Sequence, residues 1–357
     1  MDIQEIKKMD HDKKKKIGLL MGILCALYWG IWYVPGYAIY SQPLIDEVYY
    51  NVLASGFSDD VSMIAQAVFL TAINAIACAL VLFVWNGGLG KIGEFKRTLV
   101  QFNSASKYFL MAGGCGACAV FGTYLAALFL SPGFAAVAGL LYPIIGTIGS
   151  VLVLKQKVSK RAYVAVIVLL IGGITLYMGS MITDSSVNTI GLIGGIMAAV
   201  GWGCEGIAAG KALDLCEPDV GLHLRFCFEA IIWVIVLIAL TAAGLPMFDT
   251  IGKLADPTTL LVVLLIGLSF AWCYVTWYKS FPLLGVARGQ AIGSLYAAFG
   301  VIFLSIFFGP QNALGYDDSS MMIIVGSTIL GLIICLIGAY IMASENSDDL
   351  VSLRGSS

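Results

Sequence analysis

Charge is what this chain has least of. Only 12% of its 357 residues are Asp, Glu, Lys or Arg, two are histidine, and no polar stretch is long enough to form a soluble domain. That composition excludes a soluble globular enzyme, in which about 25% of residues carry charge. Also missing are a nucleotide-binding loop, a cluster of metal ligands and any nucleophile set beside a base. The two histidines, His11 and His223, fall at the edges of apolar runs. ATP-driven pumping by this chain alone is therefore not expected, and neither are an enzyme activity, a cofactor, a metal or a nucleic-acid partner. Nine cysteines are present, most of them inside apolar runs where a thiol behaves as a small hydrophobe. Cys115 and Cys118, in GGCGAC, read as small-residue packing and not as a metal or redox pair.

What is abundant is apolar surface. Hydrophobic residues make up 59% of the chain, and the mean hydropathy is +0.92, which points to an all-α polytopic membrane protein. A bilayer core of about 30 Å takes roughly 20 apolar residues as a helix. On that ruler spans fall near 17–40, 61–85, 107–130, 132–154 and 162–182, then near 189–211, 222–244, 259–281, 285–308 and 320–343. The first run is too long, and lacks the cleavage site, to be a signal peptide. Tight links, Ser131-Pro132-Gly133 and Pro282 to Gly285, join spans three to four and eight to nine.

The ten spans divide into two fives because the chain repeats itself. Ile17 to Gly30, IGLLMGILCALYWG, recurs 173 positions later as Ile190 to Gly203, IGLIGGIMAAVGWG. Gly18, Gly22, Ala26 and Gly30, like Gly191, Gly195, Ala199 and Gly203, make a smooth seam for close helix approach. At an offset of 154, Tyr124, Gly139, Tyr142 and Gly146 match Tyr278, Gly293, Tyr296 and Gly300. The expected units are 1–16 (a basic tail), 17–183 and 184–344 (the two repeats) and 345–357 (a polar tail).

Lysine and arginine sort to one side of this plan. The side holding the N-terminus collects nineteen of the twenty: six in the tail, Lys91, Lys96, Arg97 and Lys107, Lys155, Lys157, Lys160 and Arg161, then Lys211, Arg225, Lys279, Arg288 and Arg354. The other side has Lys253 alone, and its loop from Ser41 to Asp60 has four acids and no base. The positive-inside rule puts both termini in the cytoplasm, in a plasma or bacterial inner membrane. Between spans two and three, apolar and basic residues from Leu89 to Phe102 alternate as in a short helix lying on the inner leaflet. Five helices per half invert the second half relative to the first, a recurring plan of secondary transporters with a site near the midplane. Such a carrier works by alternating access.

Residues 125 to 178, LAALFLSPGFAAVAGLLYPIIGTIGSVLVLKQKVSKRAYVAVIVLLIGGITLYM, resemble the repeat unit of the EamA-type families of the drug/metabolite transporter superfamily. The Ser-Pro-Gly turn, the small residues before Tyr142-Pro143, the glycine-spaced run and the short basic loop carry the likeness. Gln156 stands where an acid is usual and Ala297 where a proline is expected. The resemblance implies transport of amino acids, sugars, nucleotide sugars, amines, quaternary ammonium compounds or drugs.

Glu205 is the only acid deep in span six, one turn after Trp202, and its mate at the 173 offset is Trp32. A carboxylate among Trp29, Trp32, Tyr33, Trp202 and the paired Tyr124, Tyr142, Tyr278 and Tyr296 suits a small organic cation such as a choline-like amine. No basic residue is expected at midplane depth to hold an anion. Two alternatives stay open: Glu205 takes a coupling proton in an exporter of amino acids or drugs, or it pairs with Arg225 or Lys211 and fixes the packing. Glu229, four residues after Arg225, reads as a structural ion pair. Arg288, beside Gln290 at the start of span nine, either snorkels or closes an inner gate against an acid. Gln66 and Asn74 on span two either line a polar cavity or bond between helices. Pro35 and Pro143 open the helical hydrogen-bond ladder. Trp85, Trp233 and Trp272 read as interface anchors or packing groups. Beyond the cargo, the partners expected are the lipid bilayer and, as an open question, a second copy. A receptor or scaffold that binds without transporting is the alternative of a different class.

Overall fold

The structure, a computed structural model, describes residues 10–101, 105–130, 135–136, 139–183, 188–314 and 320–345. Every regular element among them is helical. Among the described residues nine helices are long and apolar enough to cross a bilayer, which is the architecture of a multi-pass membrane protein. They are α1 (His11–Ala38), α3 (Asp59–Gly88), α5 (Lys107–Phe129), α7 (Lys160–Thr183), α8 (Thr189–Ala212), α9 (Pro218–Ala242), α10 (Pro257–Leu284), the run formed by α11 (Val286–Gly293) and α12 (Tyr296–Phe308), and α14 (Met321–Ala343). The expected fourth span is represented by a shorter apolar helix, α6 (Tyr142–Leu152). Its expected entry turn, Ser131-Pro132-Gly133, lies outside the described residues, as do most of the two tails, 1–9 and 346–357.

Three boundaries differ from the sequence reading. The basic tail is helical from His11, so Lys13 to Lys16 form the first turns of α1. α9 starts at Pro218, which pre-sets the first turn, and this carries Arg225 well inside the helix. The acidic connection after α1 folds into α2 (Pro43–Ala54), which buries Leu44, Ile45, Val48 and Val52 and ties Glu47 to Lys253 at 2.7 Å. The short amphipathic helix foreseen between spans two and three is present as α4 (Ile92–Val100).

The helices pack in pairs: α1 on α10, α5 on α8, α7 on α14 and α3 on α9. Glycine makes the first two close. A Cβ on Gly18 would lie 2.6 Å from Leu284 and one on Gly191 2.5 Å from Leu130; Gly30 faces Phe299 and Gly203 faces Ile145 in the same way. Gly122 and Gly194 meet backbone to backbone, each Cβ position within 2.6 Å of the other's carbonyl oxygen.

The run formed by α11 and α12 is broken. α10 ends at Leu284, Gly285 alone turns the chain at φ +83°, which glycine adopts without a Cβ clash, and α11 gives way at Ser294–Leu295 before α12. α6 likewise begins only at Tyr142, after a turn at Leu140–Leu141. Pro143 therefore sits in the first turn of a helix, where no ladder bond is lost, whereas Pro35 does interrupt α1. Lys91, Lys155, Lys160 and Arg161 gather at one end of the bundle, here called the basic face. Asp46, Glu47, Asp59 and Asp60 lie at the opposite, acidic face.

Candidate functional site

A cavity of about 460 Å³ opens between α1, α5 and α12 in the half of the bundle nearer the acidic face. That is within the roughly 300–1,000 Å³ range of small-molecule sites. Its wall is aromatic, with Trp32, Tyr33, Tyr37, Tyr40 and Tyr124 joined by Thr123, and none of the described residues that line it is charged. The period of α1 places Trp32, Tyr33, Gly36 and Tyr37 on one side, the 3-10 turn Ile39–Ser41 that follows adds Tyr40, and exposed Tyr37 and Ser41 form the rim. Trp32 is fixed by donating Nε1–H to Asn74 Oδ1 at 3.2 Å and by stacking on Phe270, ring centroids 4.8 Å apart. The hydroxyls of Tyr40 and Tyr124 are buried with no hydrogen-bond partner among the described residues.

A floor of rings lies next to the cavity wall, joined to it where Tyr33 stacks on Tyr296 with centroids 6.0 Å apart. Trp29 stacks on Tyr296 with centroids 4.4 Å apart and meets Trp202 edge-on at 4.9 Å. Tyr142 and Trp277 complete its surround at 6.0 Å. Tyr142 donates its hydroxyl to the carbonyl of Gln290 at 2.8 Å, and Tyr296 donates to the carbonyl of Ala136 at 3.2 Å. The Gln290 amide donates to the Trp202 carbonyl at 3.1 Å. Gly139 and Gly293 leave room for the two hydroxyls, since a Cβ there would lie 2.7 Å from Tyr296 Oη and 3.1 Å from Tyr142 Oη.

Under the floor lies the charge. Arg225 of α9 holds Glu205 of α8 through two nitrogens, Nε to Oε1 at 2.6 Å and Nη2 to Oε2 at 3.1 Å. Its third nitrogen, Nη1, donates to Glu229. Tyr274 and Tyr278 of α10 donate to the remaining lone pairs of Glu205 at 3.2 and 3.0 Å, and Trp202 Nε1–H donates to Tyr274 at 3.0 Å. All three charged groups are fully buried. Two expectations change here. A basic residue does lie inside the bundle, because the two-pronged guanidinium finds enough acceptors to be buried there. Glu205 is not an open countercharge facing the indoles but the saturated partner of Arg225.

Two further ion clusters close the basic face. Arg288 is bidentate to Glu345, at 2.6 and 2.5 Å, and Glu345 also accepts from Ser159 and, on its carbonyl, from Lys15. Arg288 is 2% exposed, so it does not snorkel. Nearby, Arg161 donates to the Ser344 carbonyl at 2.7 Å, and Gln156 accepts from the Val286 amide at 3.1 Å. The second cluster centres on Asp219, which meets Lys91 at 2.9 Å and Lys279 at 2.8 Å and accepts from Trp85 Nε1–H at 3.1 Å. Glu217 joins it through Lys91 at 2.6 Å. Burial lifts the Glu217 carboxyl above the usual carboxylate range, its bond to Lys91 opposes this, and the charge of Asp219 adds to it.

The remaining expected residues divide. Trp32, Tyr33 and Tyr124 reach the cavity, with Asn74 behind Trp32. Trp29, Tyr142, Trp202, Tyr296 and Gln290 build the floor, and Glu205, Glu229 and Tyr278 lie beneath it. Gln66 lines nothing; it donates to the carbonyl of Ile45 at 3.0 Å and pins α2 to α3. Trp85 and Trp272 pack edge to face at 4.5 Å, and Trp233 is buried against Phe121. The sequence reading passed over Phe270, Tyr274 and Trp277, although with Tyr278 and Phe281 they form a helix-spaced aromatic stripe along α10. It also passed over Tyr37 and Tyr40 on the cavity wall.

No protein-family model matches the chain, and no curated protein does. A solved structure described only as "Crystal structure of protein" is similar over 90% of this chain and 98% of its own, with 14% sequence identity and a TM-score of 0.58. At that identity the likeness extends to the fold alone.

Proposed function

We propose that this chain is a secondary transporter of a small organic compound, in the manner of the EamA-type carriers, built from ten spans in two inverted five-helix repeats. The observation that carries the reading is an asymmetry: an aromatic cavity open at one face, floored by rings, with ion pairs sealing the other face. A carrier halted with one gate open has this form. Support for the repeat comes from contacts that correspond under the sequence offsets. Gly18 on Leu284 matches Gly191 on Leu130, and Gly30 on Phe299 matches Gly203 on Ile145. Breaks just ahead of Tyr142 and Tyr296 put discontinuous helices at equivalent places in the two halves.

By the positive-inside rule the basic face is cytoplasmic, so the cavity faces outward across a plasma or inner membrane. In the alternate state the Arg288–Glu345 and Lys91–Asp219 seals part and the cavity closes. The favoured cargo remains an organic cation or amine, for a reason other than Glu205: the described residues around the space bring five aromatic side chains and no positive charge, and each ring face adds about 0.5–2 kcal/mol to a desolvated cation. Asp46, Asp59 and Asp60 at the acidic face attract the same charge.

Reconstitution into proteoliposomes with labelled choline, against a panel of amines, amino acids, sugars and organic acids, tests the reading. Saturable counterflow of choline, weakened by Trp32→Ala, is the expected result. Preference for an organic acid over every amine would remove the cation, and binding with no counterflow would replace the carrier with a receptor or scaffold.

A further inference from the structure

The ion cluster under the floor is not balanced. Glu205 and Glu229 bring two carboxyls and Arg225 brings one guanidinium, all fully buried and side by side. With both acids ionised the cluster would hold a net negative charge inside the membrane, which buried groups avoid by pairing or by taking up a proton.

The hydrogen bonds identify which acid is neutral. An ionised carboxylate offers about four lone-pair sites. Glu205 fills its sites with four donors: Arg225 Nε and Nη2 and the hydroxyls of Tyr274 and Tyr278. Among the described residues Glu229 receives a single donor, Arg225 Nη1, on Oε2. Its Oε1 is buried without a partner among the described residues, an arrangement far costlier for a carboxylate than for a neutral acid. We propose that Glu229 is a proton-binding site: the side chain holds a proton at neutral pH beside the Arg225–Glu205 pair and exchanges it with water through the aromatic cavity.

The surroundings suit that role. Glu229 lies midway along α9. The groups that face it are Arg225 on its own helix, Glu205 on α8, Tyr274 and Tyr278 on α10, Cys78 on α3 and Tyr124 on α5. Only Arg225 is basic, and Glu205 already occupies two of its three nitrogens. Tyr124 belongs to the cavity wall, its hydroxyl has no partner among the described residues, and it lies near enough to Glu229 to feel that charge, which offers the proton a route by way of this hydroxyl. When the proton leaves, Glu229 becomes a second full claimant on Arg225 and competes with Glu205, so α8 and α9 feel the change together. The use of the proton as a coupling ion rests on the carrier reading; its residence on Glu229 does not.

Infrared spectroscopy of the purified protein tests the residence directly, whether or not any compound is transported. At neutral pH the wild type should show a protonated-carboxyl C=O band that shifts in D₂O. Glu229→Gln should abolish the band while the protein stays folded, because the amide imitates the neutral acid, and Glu217→Gln, removing the carboxyl that burial lifts at the basic face, should leave it. Absence of the band in the wild type, or its survival in Glu229→Gln, would overturn the proposal. If Glu229→Gln fails to fold, Glu205→Gln decides. It removes one negative charge and leaves Arg225 to Glu229 alone, so the band must disappear, and its persistence overturns the assignment.

Discussion

Tyr142 and Tyr296 each donate a hydroxyl to the carbonyl six residues upstream of the other, at Gln290 and Ala136. Each hydroxyl passes over a glycine, Gly293 or Gly139, that leaves it room. Tyr142→Phe and Tyr296→Phe should each cost about 1–3 kcal/mol, since a buried carbonyl loses its partner. Thermal unfolding in detergent measures this. Comparable losses are expected from the two positions, and a loss at one with none at the other would show that they do not carry equal weight.

The Glu205–Arg225 pair separates a structural from a cargo-binding carboxylate. Glu205→Ala leaves a buried guanidinium short of an acceptor and should destabilise the protein by about 3–5 kcal/mol. Glu205→Gln should cost less, because the side-chain oxygen still accepts, and choline binding measured calorimetrically should be nearly unchanged. A large loss of choline affinity with no loss of stability would return Glu205 to the binding site.

Arg288 and Glu345 hold the basic face shut, and labelling reads out whether they do. Val286 is fully buried beside the seal. A Val286→Cys protein should react slowly with a water-soluble maleimide, and several-fold faster once Glu345→Gln is added. An unchanged rate would mean that the Lys91–Asp219 cluster alone closes this face.

Close helix approach predicts a contrast between glycines. Gly122→Ala places a methyl group 2.4 Å from the Gly194 carbonyl, against backbone that has no rotamer to yield, while nothing lies within 4 Å of a Cβ on Gly87. The first should cost about 1–3 kcal/mol or more by overpacking, and the second should leave the melting temperature nearly unchanged.

Much of this arrangement was legible in residue identities. Trp29 and Trp202 stand out as a matched pair because they recur in copied segments, and in space they meet at 4.9 Å. Trp32 and Glu205 also occupy corresponding places, one on a cavity wall and the other in a closed ion cluster. What composition did not reveal was pairing across long separations. Arg288 reads as a snorkelling side chain until Glu345, 57 residues later, is found against it. Arg225 reads as a charge at the cytoplasmic end of its helix when α9 is started four residues late, and only the convergence of two acids and a tyrosine allows it deeper inside. Tyr274 was hidden for a different reason: an aromatic at helical spacing looks like ordinary core until its hydroxyl is seen on a carboxylate.

The seal at the basic face also sets an order of events during synthesis. Lys15, Ser159, Arg161 and Arg288 are all made before Ser344 and Glu345, the residues that receive them. Until the ribosome has delivered that last pair of acceptors, the Arg288 guanidinium has no carboxylate to enclose it, and that entrance of the nascent bundle stays unlatched. A chain stalled or clipped before position 345 would therefore form its helices yet leave Arg288 without this carboxylate at the basic face.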